Sequence, residues 1–445
     1  MKTKKKLINI MLNIGLIIVV FSCASFKIQS AKMFNVIDYG AKGDGVTDNS
    51  QAFIKCLNDA VKAPNSVVLV PYGKYKISVP IDFYFTDQSL EIRGVLKSGQ
   101  KPVVFTDNFI TILSIRGYSF PDLSKGVVSI NNLKLSGKKS IYTAQHPFVK
   151  TSKFFYGVYV ADKSKVYIKN VEVENIYGQG IGIISTNQKM AGNGRFSYVS
   201  VVNSKVINCW GYNPKIDNYG DGIYIANAKA GQVVNNTVNN NPNVTKQLGR
   251  GGIVLEYFAD NILVQNNQVS GYDRALHIEE TNGGQKIIGN NLSGTDLGIV
   301  VYENQKCNDS AALLIQNNLV NNLNFNKSLK VDRVRMPRSM LNFLANGNCR
   351  TGTIIEGNTF VIDNRYQFLG NSFINILASN LMLKNNKFLI KSATANKAIY
   401  LINDDSENTK FVGNTFDGVS LRNKFKVNTT ILTNQNNFLR GAKIE

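Results

Sequence analysis

The chain of 445 residues is 43% hydrophobic, so it can bury a sizeable core without disulfide staples or a structural metal. It carries 51 Lys and Arg against 30 Asp and Glu, and this net charge of +21 favours anionic partners. No basic helix or nucleic-acid motif is present, and the cysteine spacing matches no metal site or dense disulfide scaffold. We interpret the last four cysteines as buried apolar residues, with a Cys307 to Cys349 disulfide as the alternative: Cys56, Cys209, Cys307 and Cys349.

Residues 1–22 predict an export signal, because a lysine-rich start is followed by an apolar run from Leu7 to Phe21. The run is short and interrupted by asparagines, unlike a membrane-spanning helix. The segment Val20-Phe21-Ser22-Cys23 resembles a bacterial lipoprotein box, in which Cys23 becomes the lipidated first residue. We therefore expect an exported protein anchored in the bacterial cell envelope, with ordinary cleavage after Ala24 and secretion as the alternative. Residues 23–33 would be a linker and residues 34–445 one domain.

The segment from Phe34 to Phe53 predicts a strand, a glycine-rich turn and a helix. Asp48 and Gln51 fit a capping box at the helix start. Five apolar residues follow at helical spacing: Ala52, Phe53, Cys56, Leu57 and Ala60. A stack of coils needs such a helix to cover its first coil, so we expect it to close the N-terminal end.

A six-residue pattern recurs along most of the remaining chain: apolar, any residue, Asn or Gly, two residues, apolar. Its third position falls at Asn132, Asn170, Asn203, Asn235, Asn266, Gly289, Asn317, Gly357, Asn385 and Gly413. Such a repeat indicates a stacked array, and its period-two alternation of β-branched and aromatic residues indicates strands. We predict an all-β fold, a single-stranded right-handed parallel β-helix. We interpret each copy as one strand and its Asn as a left-handed turn residue that hydrogen-bonds the neighbouring coil.

The segment from Phe34 to Ile77, with Asp38-Tyr39-Gly40-Ala41-Lys42-Gly43-Asp44-Gly45 and Pro71-Tyr72-Gly73-Lys74-Tyr75, resembles the pectin-lyase-like β-helix superfamily. Within it, the segment resembles the branch of polysaccharide lyases, rhamnogalacturonase-like hydrolases and uronan epimerases. The resemblance implies the fold and action on a polysaccharide. The chain departs from polygalacturonase-type hydrolases, because it has no Gly-His-Gly. It also departs from alginate epimerases, because the comparable turn reads Tyr177-Gly178-Gln179-Gly180.

A second strand recurs in each coil as a triplet, for example Ile253-Val254-Leu255 and Leu276-His277-Ile278. The middle residue of each triplet and the residue after it should point outward. The outward columns then contain Tyr224, Val254, His277 and Val300, and beside them Ala226, Glu256, Glu279 and Tyr302. The strand entrances carry Asp221, Arg250 and Arg274. Since adjacent coils lie ~4.8 Å apart, we expect Glu256 and Glu279 to be neighbours on one exposed face, with His277 diagonal to Glu256.

Two carboxylates at this spacing have several chemical uses. They can share one proton, serve as acid and nucleophile of a retaining glycosidase at ~5 Å, or hold a divalent cation such as Ca²⁺. His277 could bind or deprotonate a uronic acid, and in a lyase His277, Tyr224 or Tyr302 would act as base and acid. The predicted catalytic residues are Glu256, His277 and Glu279, with Glu256 and Glu279 as the metal ligands. The predicted substrate-binding residues are Asp221, Tyr224, Arg250, Arg274 and Tyr302.

These observations predict a protein that cleaves an extracellular, acidic polysaccharide by β-elimination, since hydrolase motifs are missing. The partners are then an anionic polysaccharide and, through the lipid, a membrane, with no nucleic acid. A glycoside hydrolase using Glu256 and Glu279 and a non-catalytic glycan-binding surface protein are the alternatives. An exposed charge ladder without function would carry the same residues.

Replacing Cys23 by Ser is expected to abolish lipid attachment, because the lipid is carried on the cysteine sulfur. The measurement is incorporation of a labelled fatty acid in a bacterial host that processes lipoproteins, with the mass of the mature chain. Cys56→Ser is the control and should retain the label. An unlabelled wild-type chain cleaved after Ala24 would contradict lipidation.

Overall fold

The computed structural model describes residues 30–85, 87–117, 124–141, 154–185, 195–211, 220–303, 311–323, 339–345, 349–363, 372–377, 380–392, 400–404, 409–417, 426–427, 433–435, 437–439 and 442–444. Within these ranges helical structure is limited to the 3-10 turn Val36–Tyr39, the helix Ser50–Ala60 and the one-turn helix Pro242–Thr245. No helix in the same ranges combines the length and hydropathy needed to cross a membrane. The predicted export signal and Cys23 lie outside the described residues.

Three long sheets, called A, B and C, run along the molecule. Sheet A contains Lys32–Asn35, Asn65–Val70, Ser89–Gly94, Ser124–Asn131, Lys163–Lys169, Tyr198–Val202, Gly231–Val234, Ile262–Gln265, Lys286–Ile288, Leu314–Gln316, Ile354–Glu356, Met382–Lys384, Lys410–Val412 and Thr433–Gln435. Sheet B contains Asp44–Asp48, Lys74–Lys76, Val103–Phe105, Lys134–Ser136, Glu172–Glu174, Lys205–Ile207, Thr237–Asn239, Gln268–Ser270, Asn291–Ser293, Leu319–Asn321, Thr359–Asp363, Lys387–Ser392, Thr415–Asp417, Asn437–Leu439 and Ala442–Ile444. Sheet C contains Ile81–Tyr84, Leu113–Arg116, Phe155–Ala161, Gly178–Ile184, Ile223–Ala226, Gly249–Glu256, Tyr272–Glu279, Ile299–Glu303, Leu341–Ala345, Ser372–Leu377, Tyr400–Asp404 and Lys426–Val427.

Successive coils add one parallel strand to each sheet, as in the pairing of Gly249–Glu256 with Tyr272–Glu279. The final strand differs, because Ala442–Ile444 pairs antiparallel with Asn437–Leu439. Apolar side chains from all three sheets meet inside the coils in one continuous core. The predicted all-β, right-handed parallel β-helix is confirmed.

The six-residue repeat is a corner between two strands, so its interpretation as one strand is wrong. Around Asn203, the strand Tyr198–Val202 ends in sheet A and Lys205–Ile207 begins in sheet B. Asn203 makes the corner with a φ of 52°, and Asn235 does so with a φ of 57°. The predicted left-handed turn is therefore confirmed. The apolar residues on both sides of the corner point into the core, because the left-handed residue turns the chain between them. Their spacing therefore looks like that of a single strand.

From the corner at Asn235 onward, the residue after the left-handed corner residue is a buried asparagine. These residues stack in what we call the asparagine ladder: Asn236, Asn267, Asn290, Asn318, Asn358, Asn386 and Asn414. The Nδ2 of Asn290 donates to Oδ1 of Asn318 at 2.9 Å and to the carbonyl of Val264 at 3.0 Å. Its Oδ1 accepts from the backbone N–H and the Nδ2 of Asn267, both at 2.9 Å. Buried amides must be hydrogen-bonded, and here their partners lie in the neighbouring coils. The ladder therefore fixes one coil to the next.

The N-terminal helix Ser50–Ala60 covers the first coil as predicted, and all five apolar residues of its stripe are buried. The predicted capping box is wrong. Asn49 is the N-cap residue and makes no side-chain cap bond. Asp48 instead accepts from the backbone N–H groups of Ser50 at 3.0 Å and Ser78 at 3.2 Å. This carboxylate therefore ties the start of the helix to the following coil.

The cysteines divide into two kinds. Cys56 and Cys209 are buried free thiols, as predicted. Cys349 is disulfide-bonded, which corrects its interpretation as a free apolar residue and agrees with the alternative of a bridge. Cys307, the predicted partner, lies outside the described residues.

Asn290→Ala is expected to lower the free energy of unfolding by about 3 kcal/mol or more, because the buried backbone N–H and Nδ2 of Asn267 lose an acceptor and the carbonyl of Val264 loses a donor. The exposed neighbour Asn291 provides the control, and its replacement by Ala should change stability by no more than about 0.5 kcal/mol. Urea unfolding followed by circular dichroism measures both values. Equal midpoints for the two variants would contradict a stabilising role of the ladder.

Candidate active site

Sheet C brings the predicted catalytic residues together. Glu256 pairs with Glu279, and Val254 pairs with His277, on the adjacent strands Gly249–Glu256 and Tyr272–Glu279. The preceding strand contributes Tyr224 and Ala226 to the same columns, and the following strand contributes Val300 and Tyr302. Both predicted columns and their register are confirmed.

Gly251 lets the backbone approach Asp221 closely at the start of the strand Gly249–Glu256. The backbone N–H of Gly251 donates to Oδ1 of Asp221 at 3.0 Å. A Cβ on Gly251 would lie 3.1 Å from that oxygen and only 2.2 Å from the side chain of Val254. A larger residue would therefore displace the groups that hold the buried carboxylate of Asp221.

The prediction of an exposed face is wrong for most of the site. The side chains of Glu256 and His277 are 6% and 1% exposed, and only Glu279 is accessible to a larger degree, at 29%. Outward residues of sheet C form a second apolar cluster of Ile184, Tyr224, Ala226 and Val254, against which Tyr156, Tyr159 and Tyr257 pack. When both sides of a sheet are covered, both of its faces carry apolar residues. The alternation of inward and outward residues then does not show whether the outward face meets solvent.

Arg250 joins two carboxylates on neighbouring strands. Its Nε and Nη2 donate to the two oxygens of Asp221 at 2.8 and 2.9 Å. Its Nη2 also donates to Oε1 of Glu256 at 3.1 Å, and the hydroxyl of Tyr224 donates to Oε2 of Glu256 at 2.7 Å. Asp221 is fully buried, so in this arrangement it orients Arg250 rather than facing a sugar. Glu256 is thereby fixed as a hydrogen-bonded carboxylate.

His277 is held between Arg274 and Glu279. Nη1 of Arg274 lies 3.2 Å from Nδ1 of the imidazole, and Nε2 lies 2.7 Å from Oε2 of Glu279. A guanidinium can only donate, so Nδ1 is the acceptor and Nε2 carries the hydrogen that Glu279 accepts. Burial, together with the positive charge of Arg274, lowers the pKa of His277 to about 3. His277 is therefore neutral at physiological pH, with both nitrogens engaged.

Tyr224 and Tyr302 occupy different environments. Burial and the negative charge of Glu256 raise the pKa of Tyr224 well above its ordinary value, so its hydroxyl remains a donor. Tyr302 pairs with Glu279 in the sheet and is only half-buried. Arg274 is buried beside His277 and contacts the imidazole rather than open solvent.

Three side chains could bind a metal ion here. A carboxylate oxygen of Glu256, a ring nitrogen of His277 and a carboxylate oxygen of Glu279 lie within 4.8 Å of one another. Calcium takes six to eight oxygen ligands, whereas this set offers two carboxylates and an imidazole nitrogen. Such a mixed set suits zinc or manganese better. The guanidinium of Arg250 on Glu256 also opposes a bound cation. The described residues therefore do not fit the predicted Ca²⁺ site.

Sequence reasoning did not include Gln179 in the site. Its Nε2 donates to Oδ2 of Asp221 at 3.2 Å, and its side chain is buried. A signal was available, because Gln179 precedes the triplet Ile181-Gly182-Ile183 by two residues, as Asp221 precedes Ile223-Tyr224-Ile225. The column of strand entrances therefore extends one coil further than predicted.

The low pKa of His277 predicts a pH-dependent stability. The unfolded chain binds a proton on this imidazole below about pH 6.5 and the folded chain does so only near pH 3, so folding loses stability as the pH falls between these values. With a chelator present, the wild type should lose about 2 kcal/mol more than His277→Gln between about pH 7.5 and about pH 5. Urea unfolding at both pH values measures the difference. The same loss in both chains would show that the imidazole does not carry it.

The N-terminal part of the chain, which includes the cap helix, is similar in sequence to known proteins. Residues 33–94 match the family described as rhamnogalacturonase A/epimerase, pectate lyase-like. The chain is 46% identical over 61 residues to a glucan 1,3-beta-glucosidase of Cochliobolus carbonum, covering 12% of this chain and 8% of that protein. It is 32% identical over 107 residues to a polygalacturonase of Cryptomeria japonica, covering 22% of this chain and 20% of that protein. The matches thus span a fifth or less of these relatives.

The fold extends the similarity over nearly the whole chain. The catalytic unit of a GH87 alpha-1,3-glucanase from Streptomyces thermodiastaticus strain HF3-3 superposes with a TM-score of 0.57 at 15% identity, covering 92% of this chain and 69% of that one. At this identity the similarity establishes the fold alone. In its cap sequence the chain is thus similar to the pectate-lyase-like family, and its fold is that of right-handed parallel β-helix proteins.

Proposed function

We propose that the protein is a glycoside hydrolase that cleaves a polysaccharide with Glu256 and Glu279. The observation that carries the proposal is the pairing of these two carboxylates on adjacent coils, with ligand oxygens within 4.8 Å of each other. Carboxyl groups about 5 Å apart are typical of retaining glycosidases, whereas inverting enzymes keep them farther apart. Support also comes from the similar proteins, which are named as a glucosidase, a polygalacturonase and a glucanase.

The environments of the two carboxylates suggest their roles. Glu256 accepts hydrogen bonds from Tyr224 and Arg250, which stabilise a negative charge, so we assign it as the nucleophile that attacks the anomeric carbon. Glu279 is the more accessible residue, and we assign it as the acid that protonates the departing oxygen. It then removes a proton from the water that releases the sugar from Glu256. Arg250 and Tyr224 hold the nucleophile in place.

Hydrolysis fits this geometry better than the predicted β-elimination. Elimination needs a base that can remove a proton from a carbon next to a carboxylate. Both nitrogens of His277 are hydrogen-bonded and its pKa is lowered to about 3, while the hydroxyl of Tyr224 is a donor to Glu256. Among the residues predicted for this role, Tyr302 is the one that is neither buried nor bound in this network.

Elimination on an acidic polysaccharide is the second candidate, and the net charge of +21 favours it. The guanidinium groups of Arg250 and Arg274 could stabilise a substrate carboxylate, although both lie within hydrogen-bonded networks. A glycan-binding protein without catalysis is the third. Export to an oxidising compartment is part of the proposal, and the disulfide at Cys349 supports it.

A panel of polysaccharides distinguishes these functions. The purified chain is incubated with polygalacturonate, alginate, α-1,3-glucan and β-1,3-glucan, with and without chelator. New reducing ends without the ultraviolet absorbance of an unsaturated uronate would establish hydrolysis, and that absorbance would establish elimination. Binding without either product would establish the non-catalytic function and overturn the proposal.

Glu279→Gln and Glu256→Gln should each lower the hydrolysis rate by at least about 100-fold, because each removes a group that transfers a proton or attacks in the reaction. Glu356→Gln is the matched control, since Glu356 lies on sheet A in a partly exposed ion pair with Lys384 at 3.2 Å. The measurement is initial rate on the best substrate of the panel. Full activity of either site variant would remove that residue from the mechanism.

A further inference from the structure

A groove lies along sheet B, whereas the pair of Glu256 and Glu279 lies on sheet C. Its volume is about 570 Å³. Lys74, Val103, Lys134 and Glu172 line it from matching positions on four successive strands. Three steps between coils of ~4.8 Å give this part of the groove a length of about 14 Å. It can therefore receive a short stretch of an extended polymer.

The charge of this groove is only partly compensated. Lys134 is paired, with its Nζ 2.7 Å from Glu172 and 2.8 Å from Glu174. The ammonium groups of Lys74 and Lys101 have no hydrogen bond or ion pair with any of the residues that the structure describes. Burial lowers the pKa of Lys101, and the charge of Glu172 opposes this shift only in part. A bound anion would supply the missing partner.

The shape of the groove depends on two glycines and one tyrosine. Gly43 and Gly73 pack so closely that a Cβ on Gly73 would lie 2.8 Å from the Cα of Gly43. No side chain therefore rises from the floor at this point. Tyr72 is 45% exposed, and its hydroxyl donates to Oε1 of Gln100 at 2.7 Å. The tyrosine is thus oriented by Gln100. The ammonium of Lys97 lies 5.7 Å from the centre of its ring, on one face, so a sugar would pack on the other face.

We propose that this groove is a non-catalytic binding site for a uronate-containing oligosaccharide. The ammonium groups of Lys74 and Lys101 neutralise sugar carboxylates, and the ring of Tyr72 packs on the apolar face of a sugar ring. The site would hold an acidic polymer on the protein independently of whether sheet C cleaves it. Arg250 on sheet C is already paired with Asp221 and Glu256, so cations for a sugar carboxylate are more available in this groove.

The test is calorimetric titration of the full Glu279→Gln chain, in which turnover is suppressed, with tetrasaccharides of galacturonate and of alginate and with neutral maltotetraose. At least one acidic tetrasaccharide should bind more tightly than maltotetraose. Lys101→Gln and Tyr72→Ala, added separately, should remove one binding site or weaken it by at least about tenfold. Lys62→Gln is the control, because Lys62 is 74% exposed and pairs only with Asp59 in the described structure.

Several results would overturn the proposal. They are equal binding of acidic and neutral sugars, no binding of any acidic tetrasaccharide, and unchanged binding in Lys101→Gln and Tyr72→Ala chains whose circular dichroism matches the parent. Tighter binding of a single-stranded DNA oligomer would indicate a nucleic-acid groove instead. The proposed binding site on sheet B and the proposed hydrolysis on sheet C can be tested separately. If Lys101→Gln cleaves a short neutral substrate at the wild-type rate but loses acidic binding, the groove is a distinct site.

Discussion

The asparagine ladder holds the coils from Asn236 to Asn414 in one register, and the outward side chains of these coils depend on that register for their positions. The ladder amides from Asn236 to Asn386 donate to the amide oxygen of the next coil and to a carbonyl of the previous one, as Asn290 does with Asn318 and Val264. A slip by one residue would leave these amides unpaired and would also turn core residues outward. The same register sets Glu256 opposite Glu279, two residues that are 23 positions apart in sequence. Stability and site geometry therefore have a common origin.

Buried charge is the second constraint on the site. Arg250 is enclosed with Asp221 and Glu256, and removing one member of such a group would leave a buried charge uncompensated. The network therefore fixes the position of Glu256 more than it adds net stability. Glu279, which accepts from His277 at the edge of this network, retains access to solvent. One carboxylate is thus held rigidly and its neighbour remains accessible, an arrangement that suits two different roles.

Much of the fold could be predicted because its signals repeat. The corners, the apolar stripe of the cap helix and the pairing of Glu256 with Glu279 all follow from periodic positions. The corner asparagine Asn170 does donate to Asn132 in the neighbouring coil, at 2.8 Å. From Asn235 onward the ladder is instead formed by the following residue, because Asn235 and Asn236 are identical in sequence and differ in backbone conformation. The decisive signal lay at Gly289 and Asn290: where the corner residue changes to Gly, the following Asn is retained.

Burial of the site could not be predicted in the same way. Val254 and Ile184 point outward yet are buried in a second apolar cluster, which a pattern of alternation does not distinguish from a solvent-facing surface. The hydrogen-bond partners of His277 could not be predicted either. The protonation state and tautomer of an imidazole depend on which groups approach its two nitrogens. Sequence therefore predicted that Glu256 and Glu279 pair on adjacent coils, while the protonation of His277 and the access of solvent required coordinates.

The most direct test of the proposed site is a crystal structure of the Glu256→Gln chain with a bound oligosaccharide from the polysaccharide on which the wild type is most active. We predict a sugar chain on sheet C, with one glycosidic oxygen within hydrogen-bonding distance of Glu279 and the adjacent anomeric carbon facing residue 256. An oligosaccharide bound only on sheet A or B, or residues 256 and 279 on coils that are not adjacent, would contradict it.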